Sequence, residues 1–133
     1  MKRKKLIFVL LVSLMGVLFI WKCTKEKSPE GPTDIRVRNL TTQVFDSVYV
    51  DTSSGEHTYG TVLPSATTDY KRYDKAYREA YIKLYINQVK YELIPVDYTY
   101  EVFLGQGKFT YELSIADSAN HTLGIHVIAE APL

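Results

Sequence analysis

From Asp34 onward, apolar residues in this 133-residue chain return at every second position. Ile35 and Val37 alternate with Arg36 and Arg38, the period of a strand that buries one face. VFDSVYV at 44–50 is rich in β-branched and aromatic residues, SSGE at 53–56 is a turn, HTYGTVL follows, and Pro64-Ser65 breaks the pattern again. Phe109, Tyr111, Leu113 and Ile115 fall on one face, with Thr110, Glu112 and Ser114 on the other. After the turn DSANH, Leu123, Ile125, Val127 and Ala129 repeat the alternation.

The best-specified element is AYIKLYINQVKYELIP, residues 80–95. A two-residue turn at Asn87-Gln88 sets Ile86 opposite Val89, Leu84 opposite Tyr91 and Ile82 opposite Leu93 on one face. It sets Lys83 opposite Glu92 and Tyr85 opposite Lys90 on the other. Each such pair contributes a few tenths to about 1 kcal/mol, and a slip of one residue would turn the buried set to solvent. Pro95 ends the second strand. A competing pattern is present: Tyr73, Tyr77, Tyr81 and Tyr85 recur every four residues, which also fits an amphipathic helix started by Asp69. The hairpin explains residues on both sides of the turn, so 80–86 is read as a strand, with a short helical turn around 72–78 left open. About seven short strands without a long helix predict an all-β fold, a small antiparallel β-sandwich over residues 34–133.

The N-terminal segment has a different pattern. Lys2, Arg3, Lys4 and Lys5 precede a run over residues 6–21 that contains no charge, followed by Lys22 and the only cysteine, Cys23. As a helix the run measures ~24 Å, short of a bilayer core of about 30 Å. A basic start and a short apolar run make an export signal. Residues 24–33, TKEKSPEGPT, carry charges, Pro29, Gly31 and Pro32 and no apolar residue, the composition of a disordered, flexible tether.

The order basic segment, apolar run, Cys23-Thr24-Lys25-Glu26 resembles the start of Bacteroidetes-type lipoproteins. Together with YVDTSSGEHTYG, AYIKLYI and KFTYELSI, the layout resembles small uncharacterised lipoproteins of that type with an immunoglobulin-like or transthyretin-like sandwich. The resemblance implies a signal peptide over 1–22, a diacylglyceryl thioether on Cys23, a tether over 23–33 and the sandwich over 34–133. It also implies attachment to the cell envelope, at the outer membrane, with the domain outside the cytoplasm. With Lys22 directly before the cysteine, an uncleaved signal anchor is the alternative. Asp46-Ser47-Val48 and Asp117-Ser118-Ala119 resemble the O-glycan acceptor pattern of the same exported proteins, which marks Ser47 and Ser118.

Charge narrows the partners. Five of the 16 Lys and Arg lie in residues 1–22, which leaves 11 against 15 acids and a net charge of −4. That balance argues against nucleic acid, which requires a concentrated positive face. With one cysteine, no intrachain disulfide can form. His57, His121 and His126 lack the spacing of metal ligands on one element. DTSSGE and IADSANH lack the alternating oxygens of a calcium loop, and Gly105-Gln106-Gly107-Lys108 precedes a strand where a phosphate loop would open a helix. No Ser or Thr sits on a strand-to-helix elbow with a positioned histidine, and Asp97 and Glu101 are not marked as a catalytic pair. The sequence thus predicts no catalytic residue, no cofactor and no metal: a non-enzymatic protein, with an envelope enzyme acting on glycan or peptide as the rival reading. All 11 tyrosines follow Cys23, where no tryptophan occurs. Tyr73, Tyr77, Tyr81, Tyr85 and Tyr91 form the candidate binding face, since a flat ring with a polar tip suits a glycan or a protein partner.

Overall fold

The computed structural model describes residues 30–96 and 102–131. Cys23, the signal segment and the tether up to residue 29 lie outside the described residues. Eight strands are present: β1 (Thr33–Asn39), β2 (Phe45–Asp51), β3 (Glu56–Val62), β4 (Lys71–Tyr73), β5 (Tyr81–Ile86), β6 (Val89–Leu93), β7 (Gly107–Asp117) and β8 (Thr122–Ala131). They form one sheet in the order β3-β2-β5-β6-β8-β7-β1-β4. The sheet rolls on itself until its two edge strands face one another, which makes a nearly closed barrel.

This overturns the sandwich, and with it the immunoglobulin-like or transthyretin-like architecture. Alternation shows only that each strand buries one face. The buried faces can meet across two stacked sheets or across the inside of one rolled sheet, and the pattern is the same. Here Ile35, Val37, Phe45, Val48, Val50, Ile82, Leu84, Tyr111 and Leu113, from four strands, are all fully buried in one interior cluster. Eight strands enclose a space that such side chains fill.

The antiparallel expectation also fails at two joints. β1 runs parallel to β7, from Thr33 opposite Gly107 to Asn39 opposite Leu113, and β6 runs parallel to β8 through the single pair Glu92 and Thr122. Parallel neighbours need long connections, and the 67 residues between β1 and β7 supply one. The β5–β6 hairpin has the register read from the sequence, from Ile82 opposite Leu93 to Ile86 opposite Val89. Asn87 and Gln88 both have positive φ, at 50° and 68°, the primed turn that suits a two-residue hairpin. No helical turn occupies 72–78: Lys71–Tyr73 is β4, and the following residues run irregularly to β5.

Strand directions sort the connections into two poles. Chain entry at Glu30, the turn at 52–55, residues 74–80 and residues 102–106 gather at one end, here called the proximal pole. Residues 40–44, 63–66, 87–88 and 118–121 gather at the distal pole. The proximal end is plugged by 74–80. Ala76 and Ala80 are fully buried, Leu104 N–H donates to the Ala76 carbonyl at 2.8 Å, and the Tyr111 hydroxyl donates to the Tyr77 carbonyl. At the distal end the buried Asn39 amide donates to the carbonyls of Gln43 and Val62, at 2.7 and 3.2 Å. Its oxygen accepts from Thr41 N–H and hydroxyl, both at 2.8 Å.

The last gap is closed by side chains. β3 and β4 share no strand pairing. Instead, the His57 Nε2 lies 2.8 Å from the Arg72 carbonyl. The Tyr59 hydroxyl donates to the Ile35 carbonyl at 2.8 Å and meets the Tyr73 hydroxyl at 3.2 Å.

Candidate functional site

Outward-facing residues of β3, β2, β5 and β6 form one side wall of the barrel. Because inward Val48, Val50, Ile82 and Leu84 alternate with them, Ser47, Tyr49, Tyr81, Lys83 and Tyr85 must point out. Register places Tyr49 beside Lys83, Asp51 beside Tyr81 and Ser47 beside Tyr85, with Lys83 beside Glu92 and Tyr85 beside Lys90. The rings of Tyr49 and Tyr81 meet edge to face with centroids 6.2 Å apart, and the Lys83 ammonium lies 5.1 Å above the Tyr49 ring. Each of the two hydroxyls is held by a carboxylate, Tyr49 by Glu56 and Tyr81 by Glu92 at 2.6 Å. These hydrogen bonds push both phenols up to about 12. The Tyr81 bond, and then Lys90, hold the Glu92 carboxyl below its ordinary value.

The five tyrosines marked from the sequence do not share this wall. Tyr81 and Tyr85 do. Tyr73 lies inside the barrel, 1% exposed, where burial raises its hydroxyl to about 12. Tyr91 faces inward at the rim, packed against the core cluster and edge-on to His121 at 5.0 Å. Tyr77 sits at the proximal pole, stacked on Phe103 at 4.4 Å. The wall's third tyrosine is Tyr49, which the sequence reading did not mark. The alternation in VFDSVYV carries the signal: with Val48 and Val50 inside, Tyr49 has to be outside.

At the distal end of this wall an open hollow of about 610 Å³ is lined by Tyr85, Asp46, Ser47, Asn87 and Gln88. The primed turn carries the two amides over the start of β2, where Gln88 N–H points at the Asp46 carboxylate from 3.5 Å. One ring, one carboxylate, one hydroxyl and two amides therefore surround a single space. A second cleft, of about 370 Å³, opens where β6 and β8 barely pair, and is lined by Lys90, Glu92, Leu93, Ile94, Asn120, His121, Thr122 and Leu123. Its charged groups are already satisfied: Lys90 pairs with Glu92 at 3.1 Å, and Glu92 also accepts from Tyr81. The hollow at Tyr85 is the better-equipped site.

No protein-family model matches this chain, and no curated protein matches it. Among solved structures, the NMR structure of a protein from Eubacterium rectale is similar, with 16% identity, coverage of 75% of this chain and 93% of that one, and a TM-score of 0.47. These comparisons show no link to the Bacteroidetes-type lipoproteins that the sequence resembles, and that resemblance is withdrawn together with its sandwich.

The remaining marked residues are scattered. Ser47 borders the hollow, half-buried, and Ser118 is exposed in the β7–β8 turn. There Asp117 accepts from the Ala119 and Asn120 amides. His57 lies in the seam, His121 in the β7–β8 turn and His126 on the outer face, 3.1 Å from Glu112. Among the described residues no three His, Cys, Asp or Glu side chains converge as metal ligands. The candidate lipidation site, Cys23, lies outside the described residues.

Proposed function

We propose that this chain is a non-catalytic, membrane-anchored glycan-binding module of the cell envelope, with the hollow at Tyr85 as its binding site. The observation that carries this reading is the composition of that hollow. A sugar ring has an apolar C–H face and a rim of hydroxyls. An aromatic ring takes the first, and carboxylate and amide groups take the second as acceptors and donors. Tyr85 supplies the ring, Asp46 the charged acceptor, and Asn87 and Gln88 the bifunctional amides. A volume of about 610 Å³ has room for one or two sugar residues. The turn that carries both amides is fixed by a five-pair hairpin, so little ordering cost accompanies binding.

Anchoring is read from the sequence: the apolar run over 6–21 and Cys23 attach the domain, by acylation of the cysteine or by the retained segment itself. Either route leaves the barrel outside the cytoplasm.

The test is titration of the purified full chain in detergent against a panel of neutral and acidic oligosaccharides. A neutral sugar is expected to bind. Tyr85→Ala should weaken it roughly tenfold, the equivalent of about 1.4 kcal/mol of lost stacking. Asp46→Asn should weaken it roughly fivefold by loss of a charge-assisted hydrogen bond. Binding unaffected by Tyr85→Ala, or no sugar bound at all, would sink the glycan reading and leave the Tyr49–Tyr81 wall as a protein-docking face.

A further inference from the structure

We propose that the proximal pole of the barrel rests on the headgroup layer of the membrane. This inference depends on the anchor in the reading above and does not depend on the sugar site.

The chain outside the structure, and where it joins, is the first observation. Cys23 precedes Glu30 by seven residues, which span at most ~24 Å when extended. Glu30 enters at the proximal pole, where its carboxylate lies 3.6 Å from the Lys75 ammonium. Gly31 is pressed so close to residue 74 that an added Cβ would lie 1.8 Å from the Asp74 carbonyl oxygen. The entry point therefore cannot swing to another side of the barrel. Whether the anchor is an acylated Cys23 or the retained apolar run, this pole is the one held near the bilayer.

The second observation is what the pole displays there. Tyr77 and Phe103 stack at 4.4 Å and 23°, both half-exposed. The Lys75 ammonium lies 4.5 Å above the Phe103 ring. Val102 beside it is 79% exposed, and Arg78 is also exposed. Amphipathic rings, long cationic side chains with apolar stems and a bare aliphatic residue are what a membrane interface accommodates. Asp74, Glu79 and Glu30 offset Lys75 and Arg78, so attraction to anionic lipid is weak and zwitterionic headgroups suffice. The occupant is thus a lipid surface, engaged through rings and stems more than through net charge. The hollow at Tyr85 then points away from the membrane, held one barrel height above it, ~20 Å for the six residues of β5.

The experiment uses the full chain, isolated from its native membrane and reconstituted into phosphatidylcholine vesicles. Its reference is the same chain with 30 Gly and Ser residues inserted after Lys27, which frees the domain from the surface. Flotation is measured first, then amide exchange. Both chains should float, and amides of 75–78 and 102–104 should exchange at least threefold more slowly in the short-tethered chain, with 87–89 unchanged. Val102→Asp should abolish the difference without affecting flotation. Equal exchange in two floating chains, or protection at 87–89 instead, would overturn the inference and leave the anchor standing. A chain that fails to float would overturn the anchor and the inference together.

Discussion

Gly31 shows how much a single position can carry. It lies at the junction of tether and barrel, and its backbone packs directly on the Asp74 carbonyl, with room for a hydrogen and nothing larger. Gly31→Ala is therefore expected to destabilise the barrel by about 2–3 kcal/mol, because the obstructing atoms are backbone and cannot turn aside. A urea midpoint equal to that of wild type would refute the close approach. In the sequence, Gly31 reads as one more breaker in a tether. Its contact partner is 43 residues away, and no local pattern reports it. Tyr73 teaches the same lesson in reverse. By residue type it belongs with the exposed tyrosines, but Thr33 opposite it in β1 turns it inward, and the Tyr59 hydroxyl satisfies its polar tip.

Among the elements, β3 is decided by an irregularity. Tyr49 pairs with Thr58 and Val48 with Gly60, so Tyr59 has no opposite number in β2. The extra residue makes a bulge, which Gly60 permits by adopting φ +71°. Tyr59 is thereby freed to cross the seam and donate to the Ile35 carbonyl. Burial raises the Tyr59 hydroxyl far above its ordinary value, so it remains a donor at any pH the fold survives. Tyr59→Phe should cost about 1–2 kcal/mol, since it leaves the Ile35 acceptor without this donor. Amide exchange in β3 and β4 should quicken before that of β5 and β7. Uniform acceleration across all strands would mean that the seam is not a separate point of opening. The β5–β6 hairpin was legible in every pair because its partners lie within a dozen residues and its turn is two residues long. The four-residue tyrosine spacing left a helical turn open at 72–78, but the four rings share no element: β4 ends at Tyr73, Tyr77 lies in the irregular stretch after it, and only Tyr81 and Tyr85 stand on one strand.

At the scale of the whole molecule, several surface carboxylates among the described residues are held by cross-strand or turn partners, with consequences for pH. Arg72 binds both oxygens of Asp34, at 2.8 and 3.0 Å, and holds that carboxyl below its ordinary value. Thr110 and Arg36 do the same for Glu130, the Asn120 side chain and turn amides for Asp117, and Tyr81 for Glu92. A carboxyl whose folded pKa is depressed contributes stability that is present above its unfolded pKa and is lost as pH falls through the folded value. The barrel is therefore expected to hold a constant urea midpoint from pH 7 down to the ordinary carboxylate range, then lose stability below it. Asp34→Asn should flatten part of that decline. A midpoint that rises on acidification would contradict the assignment.

The division between sequence and structure follows from range. Which residues of each strand face inward, where the turns fall and how the central hairpin registers are set by neighbours a few positions apart, and the sequence by itself determined them. Eleven tyrosines and a lone cysteine behind an apolar run likewise stand in the sequence alone. Tertiary structure decided that the buried faces meet inside one rolled sheet, that β1 lies parallel to β7, and that Tyr49 and Tyr81 meet on one wall while Tyr73 lies inside. It also brought Asp46 to the turn at Asn87-Gln88, some 40 residues on, to make a hollow. The physical reason is that alternation encodes which face is buried but not against what. That choice rests on pairings between distant strands, whose energy appears only when the chain has closed.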